Sequence, residues 1–163
     1  TANYRENYGL YACTGIAYNH ESPRRGFEYV TRKISRGVAL IKAGLQEKLV
    51  LGNLEAIRDW GYAPDYVQAM WKMLQQDTPH DFVIATGIGH TIREFCQLAF
   101  ERVGLDYRDF VSFDPKFYRP VEEVPLIGDA TRAAADLNWS PEVSFKELVH
   151  LMVDADIEQI ESI

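Results

Sequence analysis

The sequence predicts an α/β fold, and three observations carry that expectation. Short apolar runs of strand length alternate along the chain with longer amphipathic stretches, the pattern of interleaved strands and helices. Two capping boxes, Thr91-Ile-Arg-Glu94 and Ser144-Phe-Lys-Glu147, mark helix starts. The 163 residues, 47% of them hydrophobic, suffice for one domain with a sizeable core and are short for two.

Taken in order, Thr1 to Tyr8 reads as the tail of a helix that begins before the first residue. Leu10 to Tyr18 reads as a buried strand, ending in the polar loop Asn19-His-Glu-Ser-Pro-Arg-Arg-Gly26. Ligands of open α/β sheets collect at such strand ends. A helix is expected from Phe27 to Leu45, with Val30, Ile34, Ile41 and Leu45 inside. Leu49 to Leu51 is a short apolar strand turning at Gly52-Asn53. Arg58-Asp-Trp-Gly61 lies between that strand and a helix begun by Pro64, since proline suits a first helical turn. Val67, Met70, Trp71 and Leu74 fall at i, i+3, i+4 and i+7, which predicts one buried face. Asp77-Thr-Pro79 is a loop, Phe82 to Ala85 a buried strand, and Thr91 to about Val103 a helix. Phe110 to Phe113 follows as a strand, and Asp114 to Glu122 as an irregular polar segment. Asp129 to Leu137 is a short helix, and an amphipathic helix runs from Ser144 to the end.

The net charge of −7 and the lack of a basic face argue against nucleic acid as a partner. No apolar run approaches the roughly 18–20 residues of a membrane span, and the start carries no signal-peptide pattern. Cys13 and Cys96 lack CxxC spacing and read as buried thiols of a reducing compartment. The four histidines show no i, i+4 pairing, so no metal site is expected. The expected location is the cytoplasm.

Two motifs imitate catalytic signatures. Gly87-Ile-Gly89-His-Thr-Ile92 sits between a strand and a helix, where a dinucleotide fingerprint belongs. Ile92, however, stands where close helix packing needs a small residue, so the segment reads as a turn into a capped helix. Tyr29-Val-Thr-Arg-Lys33 places a phenol and an ammonium at i, i+4 on one helix face. It follows a loop and lacks a serine or threonine partner at catalytic spacing, so Lys33 is the better reading, as a ligand cation. Lys33, Arg58 and Arg119 stand beside strand ends or loops in an acidic chain, and converging cations suit a diphosphate. Arg58 has a second reading, as a structural partner of Asp59. Asn19 offers an amide that donates and accepts, and Glu122 suits a ribose hydroxyl or the orientation of Arg119.

Asn19-His-Glu-Ser-Pro-Arg-Arg-Gly26, Val30-Thr-Arg-Lys-Ile34, Leu51-Gly-Asn-Leu54, Arg58-Asp-Trp-Gly61, Asp65-Tyr-Val67 and Tyr118-Arg-Pro-Val-Glu122 occur in this order. With Ile84-Ala-Thr-Gly87 and Arg93-Glu-Phe95, they resemble the GDP-mannose 4,6-dehydratase family of the extended short-chain dehydrogenase/reductase superfamily. The resemblance runs nearly end to end. It implies the C-terminal substrate-binding part of that fold, with the last helix and strand portion of the NAD(P)-binding Rossmann fold. Residues 1–26 would be the tail of the Rossmann domain and a switch loop, and residues 27–163 mainly the nucleotide-sugar-binding domain. By motif, Asn19, Lys33, Leu51, Arg58, Arg119 and Glu122 correspond to contacts with the GDP-sugar. His20 and Arg25 correspond to contacts with NADP.

The resemblance further implies that the glycine-rich cofactor turn, the catalytic threonine and glutamate and the Tyr–Lys dyad belong to a missing N-terminal Rossmann half. No catalytic residue is therefore assigned here. The implied whole-enzyme reaction converts GDP-mannose to GDP-4-keto-6-deoxymannose with NADP, in a homo-oligomer. The family pattern has a basic residue where Ile57 stands, Val-Asp where Glu123-Val124 stands, and often phenylalanine where Tyr29 stands. A GDP-sugar reductase or epimerase of the same superfamily, or a non-catalytic GDP-sugar-binding module, are the competing readings.

Overall fold

The computed structural model describes residues 1–114, 116 and 125–162. Helix α1 (Ala2–Tyr8) leads into strand β1 (Gly15–Ala17), which pairs in parallel with β5 (Phe82–Ile84) in the register Ile16↔Val83. Strand β2 (Asn19–Glu21) lies parallel to β4 (Ile57–Tyr62), and β4 runs antiparallel to β6 (Gly89–Thr91), giving the order β2-β4-β6. Strand β3 (Leu49–Leu51) pairs in parallel with β7 (Val111–Phe113). The helices are α2 (Val30–Lys42), α3 (Ala63–Met73), α4 (Ile92–Arg102), α5 (Tyr107–Phe110), α6 (Thr131–Leu137) and α7 (Phe145–Glu161). The α/β expectation holds.

Two apolar clusters flank the strands. The larger gathers Ile34 and Val38 of α2, Phe95 and Phe100 of α4, Leu148 and Met152 of α7, and Leu51 and Trp60 from the strands. The smaller joins Tyr66, Ala69 and Met73 of α3 with Phe82 and Ile84 of β5, Leu137 of α6 and Trp139. Both capping boxes form as the sequence predicts: the Thr91 and Ser144 hydroxyls accept from the backbone N–H of Glu94 and Glu147. A buried polar contact fastens α2 to α7, with Arg32 Nη2 2.7 Å from Asp156 Oδ1 and Ser35 Oγ donating to Asp156 Oδ2 at 2.6 Å.

Several expectations need correction. The stripe Val67, Met70, Trp71 and Leu74 is 41–61% exposed, while Tyr66, Ala69 and Met73 face the core. Correct helical periodicity thus named the wrong face, because both faces of α3 carry apolar residues. Leu10 to Tyr18 is neither all strand nor buried: only Gly15–Ala17 is extended, and Ile16 is 52% exposed. Its strand has β5 on one edge and no other neighbour among the described residues. Leu45 lies beyond the end of α2 and is exposed, so it does not belong to the inner face. Asn19–Glu21, Ile57–Tyr62 and Gly89–Thr91, expected as loops or turns, form the three-stranded sheet.

Candidate functional site

That unexpected sheet carries three of the residues singled out in the sequence. Register pairs Asn19 with Trp60 and His20 with Gly61. Successive strand side chains point to opposite faces, so Asn19 and His20, adjacent in the chain, serve two different sides. Asn19 Nδ2 donates to the backbone carbonyl of Asp59, the residue after Arg58, at 3.3 Å. His20 Nδ1 lies 2.8 Å from the Tyr18 carbonyl. A carbonyl only accepts, so Nδ1 carries the proton and, in the neutral ring, Nε2 is left as an acceptor. The ring stacks on Tyr66, with centroids 5.4 Å apart and planes at 30°. Tyr66 fits there because position 61 is glycine: a Cβ on Gly61 would come within 2.4 Å of the Tyr66 ring.

Glu21 closes β2 inside the protein. Its carboxylate accepts from Thr31 Oγ1 at 2.5 Å and lies 3.3 Å from Arg25 Nε. Burial pushes this carboxyl above its ordinary range, against the pull of the Thr31 hydrogen bond and the Arg25 charge. The Arg25 guanidinium covers the Tyr29 ring at 3.5 Å from its centroid. Its Nε has no aligned hydrogen-bond partner, the Glu21 contact being an ion pair by distance alone. Tyr29 itself caps the start of α2 and is exposed. The phenol of the YxxxK spacing is therefore occupied as an arginine platform.

Lys33 lines a cleft of about 370 Å³ between α2 and β3, together with Phe27, Arg36, Lys48, Leu49 and other residues. Arg36 lies over the Phe27 ring at 4.3 Å from its centroid, and Lys48 Nζ donates to the Asp109 carbonyl at 2.5 Å. The cleft thus gathers three cations and an exposed aromatic ring in an acidic protein. Arg36 and Lys48 were missed in the sequence. The signal for Arg36 was there, three residues after Lys33 on the same helix face. Leu51 is 3% exposed and belongs to the core, with its carbonyl accepting from Asp114 N at 3.0 Å.

Arg58 stands on β4, half-buried, with Nη1 donating to the Ile57 carbonyl at 2.7 Å. Its strand position is fixed opposite His90 of β6 and by a bridge to Leu126. The Asp59 carboxylate, expected as its possible partner, is fully buried and accepts from Thr86 and from the backbone N–H of Gly87 and Gly128. Gly87 thereby lies in an anchored turn after β5. Arg119 and Glu122 lie outside the described residues.

Burial pushes the Cys96 thiol up to about 12, which keeps it protonated. Among the described residues no group of His, Cys, Asp and Glu is arranged to hold a metal, and no helix is long and apolar enough to cross a membrane.

Comparison with known proteins bears on this arrangement. A family model described as GDP-mannose 4,6 dehydratase matches residues 1–152. GDP-mannose 4,6 dehydratase 2 of Arabidopsis thaliana is 56% identical over 158 residues, covering 97% of this chain and 42% of the relative. The human GDP-mannose 4,6 dehydratase is 51% identical over 173 residues, covering 96% of this chain and 46% of the relative. The chain therefore spans less than half the length of either. Among solved structures, RMD from Pseudomonas aeruginosa complexed with NADPH superposes with a TM-score of 0.88 at 20% identity, over 96% of this chain and 52% of that one. A dTDP-glucose 4,6-dehydratase from Bacillus anthracis in complex with NAD gives 0.81 at 19% identity, over 98% and 49%. These two show the fold.

Proposed function

The chain belongs to the GDP-mannose 4,6 dehydratase family, and from that membership we propose that it supplies the nucleotide-sugar-binding half of a GDP-mannose 4,6-dehydratase. In this reading residues 27–163 form mainly the substrate-binding domain and residues 1–26 the end of a Rossmann domain. The remaining half covers the open edge of β1 and the outer stripe of α3. The α3 stripe and Ile16 of β1 are exposed and apolar, and an open strand edge presents backbone groups that a further strand would pair. Relatives at 43–56% identity named as GDP-mannose 4,6-dehydratases favour this activity over a reductase or epimerase.

The observation that supports the site reading is the hydrogen bond from Asn19 Nδ2 to the carbonyl of Asp59, which joins β2 to β4 at the residue next to Arg58. Arg58 supplies a planar two-pronged donor to the diphosphate, and Asn19 an amide to the sugar or phosphate. Lys33, with Arg36 and Lys48, adds positive charge along the cleft beside β3. Leu51 is buried at the end of β3, next to the cleft-lining Leu49 and Val50, and Arg119 and Glu122 complete the set. Interactions with such remote groups orient the sugar and lower the barrier at the reacting carbon.

The residues present also fit a nicotinamide dinucleotide. The Arg25 guanidinium, with an Nε lacking an aligned partner, lies in the loop after β2, and His20 presents Nε2 on the face opposite Asn19. They would hold NADP, which would supply a nicotinamide able to accept a hydride and give it back. Calorimetric titration of GDP-mannose into the chain tests the proposal. Arg58→Lys keeps the charge and loses the fork, and should weaken binding by about 1–3 kcal/mol with little change in Tm. Absence of binding, or unchanged affinity in Arg58→Lys, overturns it.

A further inference from the structure

We propose that Asp59 is a positioning residue of the nucleotide-sugar site, holding Arg58 in place by tying β4 to two loops. The inference rests on Arg58 belonging to that site. Asp59 follows Arg58 on the strand, so its side chain leaves the opposite face and is fully buried. Oδ1 accepts from Thr86 N at 2.9 Å and from Thr86 Oγ1 at 2.6 Å. Oδ2 accepts from Gly87 N at 2.9 Å and from Gly128 N at 3.1 Å. The backbone carbonyl of the same residue accepts from Asn19 Nδ2. One residue thus touches the turn after β5 at Thr86 and Gly87, the loop at Gly128, and Asn19 of β2.

Hydrogen bonds to an ionised acceptor are about twice as strong as neutral ones, and here four donors converge on one carboxylate. The approach of Gly128 is possible because it lacks a side chain: a Cβ there would lie 2.3 Å from the Cβ of Ala85. Arg58 is held from the other direction by its pairing with His90 and its bridge to Leu126. Its Cα therefore cannot shift along β4 without breaking the Asp59 bonds. A binding group on such a braced strand keeps its geometry far better than one on a loop. A purely structural carboxylate would stabilise the fold without being coupled to what Arg58 binds.

The test is a double-mutant cycle on GDP affinity, read by calorimetry on folded protein, with Tm recorded for each variant. Asp59→Asn replaces an acceptor by an amide nitrogen that faces N–H donors. It should weaken GDP binding about tenfold in the Arg58 background and leave affinity nearly unchanged in the Arg58→Lys background, since contacting or networked residues couple. Thr86→Ala removes one of the four donors and is the milder variant if Asp59→Asn does not fold. It should cost about two- to threefold and show the same dependence on Arg58. Full affinity in folded Asp59→Asn, or in Thr86→Ala where that fold is lost, overturns the proposal. So do losses that simply add to those of Arg58→Lys. Failure of the site reading is separate: it is seen in Arg58→Lys alone, if that substitution leaves GDP affinity unchanged.

Discussion

Replacing Asp156 by alanine should be among the most damaging changes the fold can suffer. Asp156 and Arg32 are 1% and 5% exposed at their side chains, and their 2.7 Å contact ties α7 to α2. Ser35 Oγ donates to the other carboxylate oxygen at 2.6 Å. Burial pushes the Asp156 carboxyl up, opposed by these same two partners. Arg32 Nε and Nη1 already lack hydrogen-bond partners, and its remaining side-chain bond goes to Gln159 at 3.2 Å. Asp156→Ala would strand the guanidinium in the interior, which costs about 3–5 kcal/mol. The orphaned Ser35 hydroxyl falls within that range, because the two losses share one carboxylate. At about 2–4 °C per kcal/mol for a chain of this size, Tm should fall by roughly 6–20 °C, measured by circular dichroism. The double variant Arg32→Met with Asp156→Leu should recover most of the loss, since replacing both partners of a buried pair with apolar groups is often neutral or stabilising. A single variant that loses under about 1 kcal/mol, or a double variant as unstable as the single, would refute the reasoning.

Two further outcomes are expected. Arg5 reaches Asp81 through two hydrogen bonds of 2.8 and 3.1 Å, and these tie α1, which buries none of its residues, to the start of β5. The Arg5 hydrogen bond, then that from the Thr14 N–H, holds the Asp81 carboxyl well below the usual range. A depressed carboxyl contributes stability that is present above its unfolded value and lost as pH falls through its folded value. Protection of the amides over 2–8, taken relative to their intrinsic exchange rates, should therefore fall in acid below about pH 4, before the core strands open, and Asp81→Asn should show that reduced protection already at neutral pH. In a separate experiment, Met70→Glu with Trp71→Glu should cut the self-association of the isolated chain in sedimentation velocity, because the exposed stripe on α3 is an apolar patch. Wild-type chain that stays monomeric at high concentration would sink that expectation.

Three of the elements that the sequence missed are short polar strands or their partner. Capping boxes, proline at the start of α3 and the apolar triplets Leu49–Leu51 and Phe82–Ile84 were legible, because each is a local signal with a local physical cause. Asn19–Glu21 and Gly89–Thr91 have no alternation and few apolar atoms, and nothing local marks them as extended. They are strands because β4 lies between them, and that pairing joins residues about 40 and 30 positions apart. The same cause hid the role of Asp59. Beside an arginine in the sequence it read as a possible salt-bridge partner, whereas strand alternation turns it the other way, toward Thr86 and Gly128. The exposed stripe on α3 was misread for a different reason: periodicity identifies a face and is silent on what lies opposite it.

The pairing of Asn19 with Trp60 has a consequence for how this protein tolerates insertions and deletions. Side chains along β2 alternate, so one residue gained or lost between Tyr18 and Glu21 would turn the Asn19 amide to the side now held by the His20 imidazole, and the reverse. Glu21 would be carried out of its contact with Thr31 at the same time. A point substitution there changes one side chain, but a single-codon shift exchanges the places of two. Length across these few residues should thus be constrained as tightly as their chemistry, and a library that varies β2 should hold its residue count fixed.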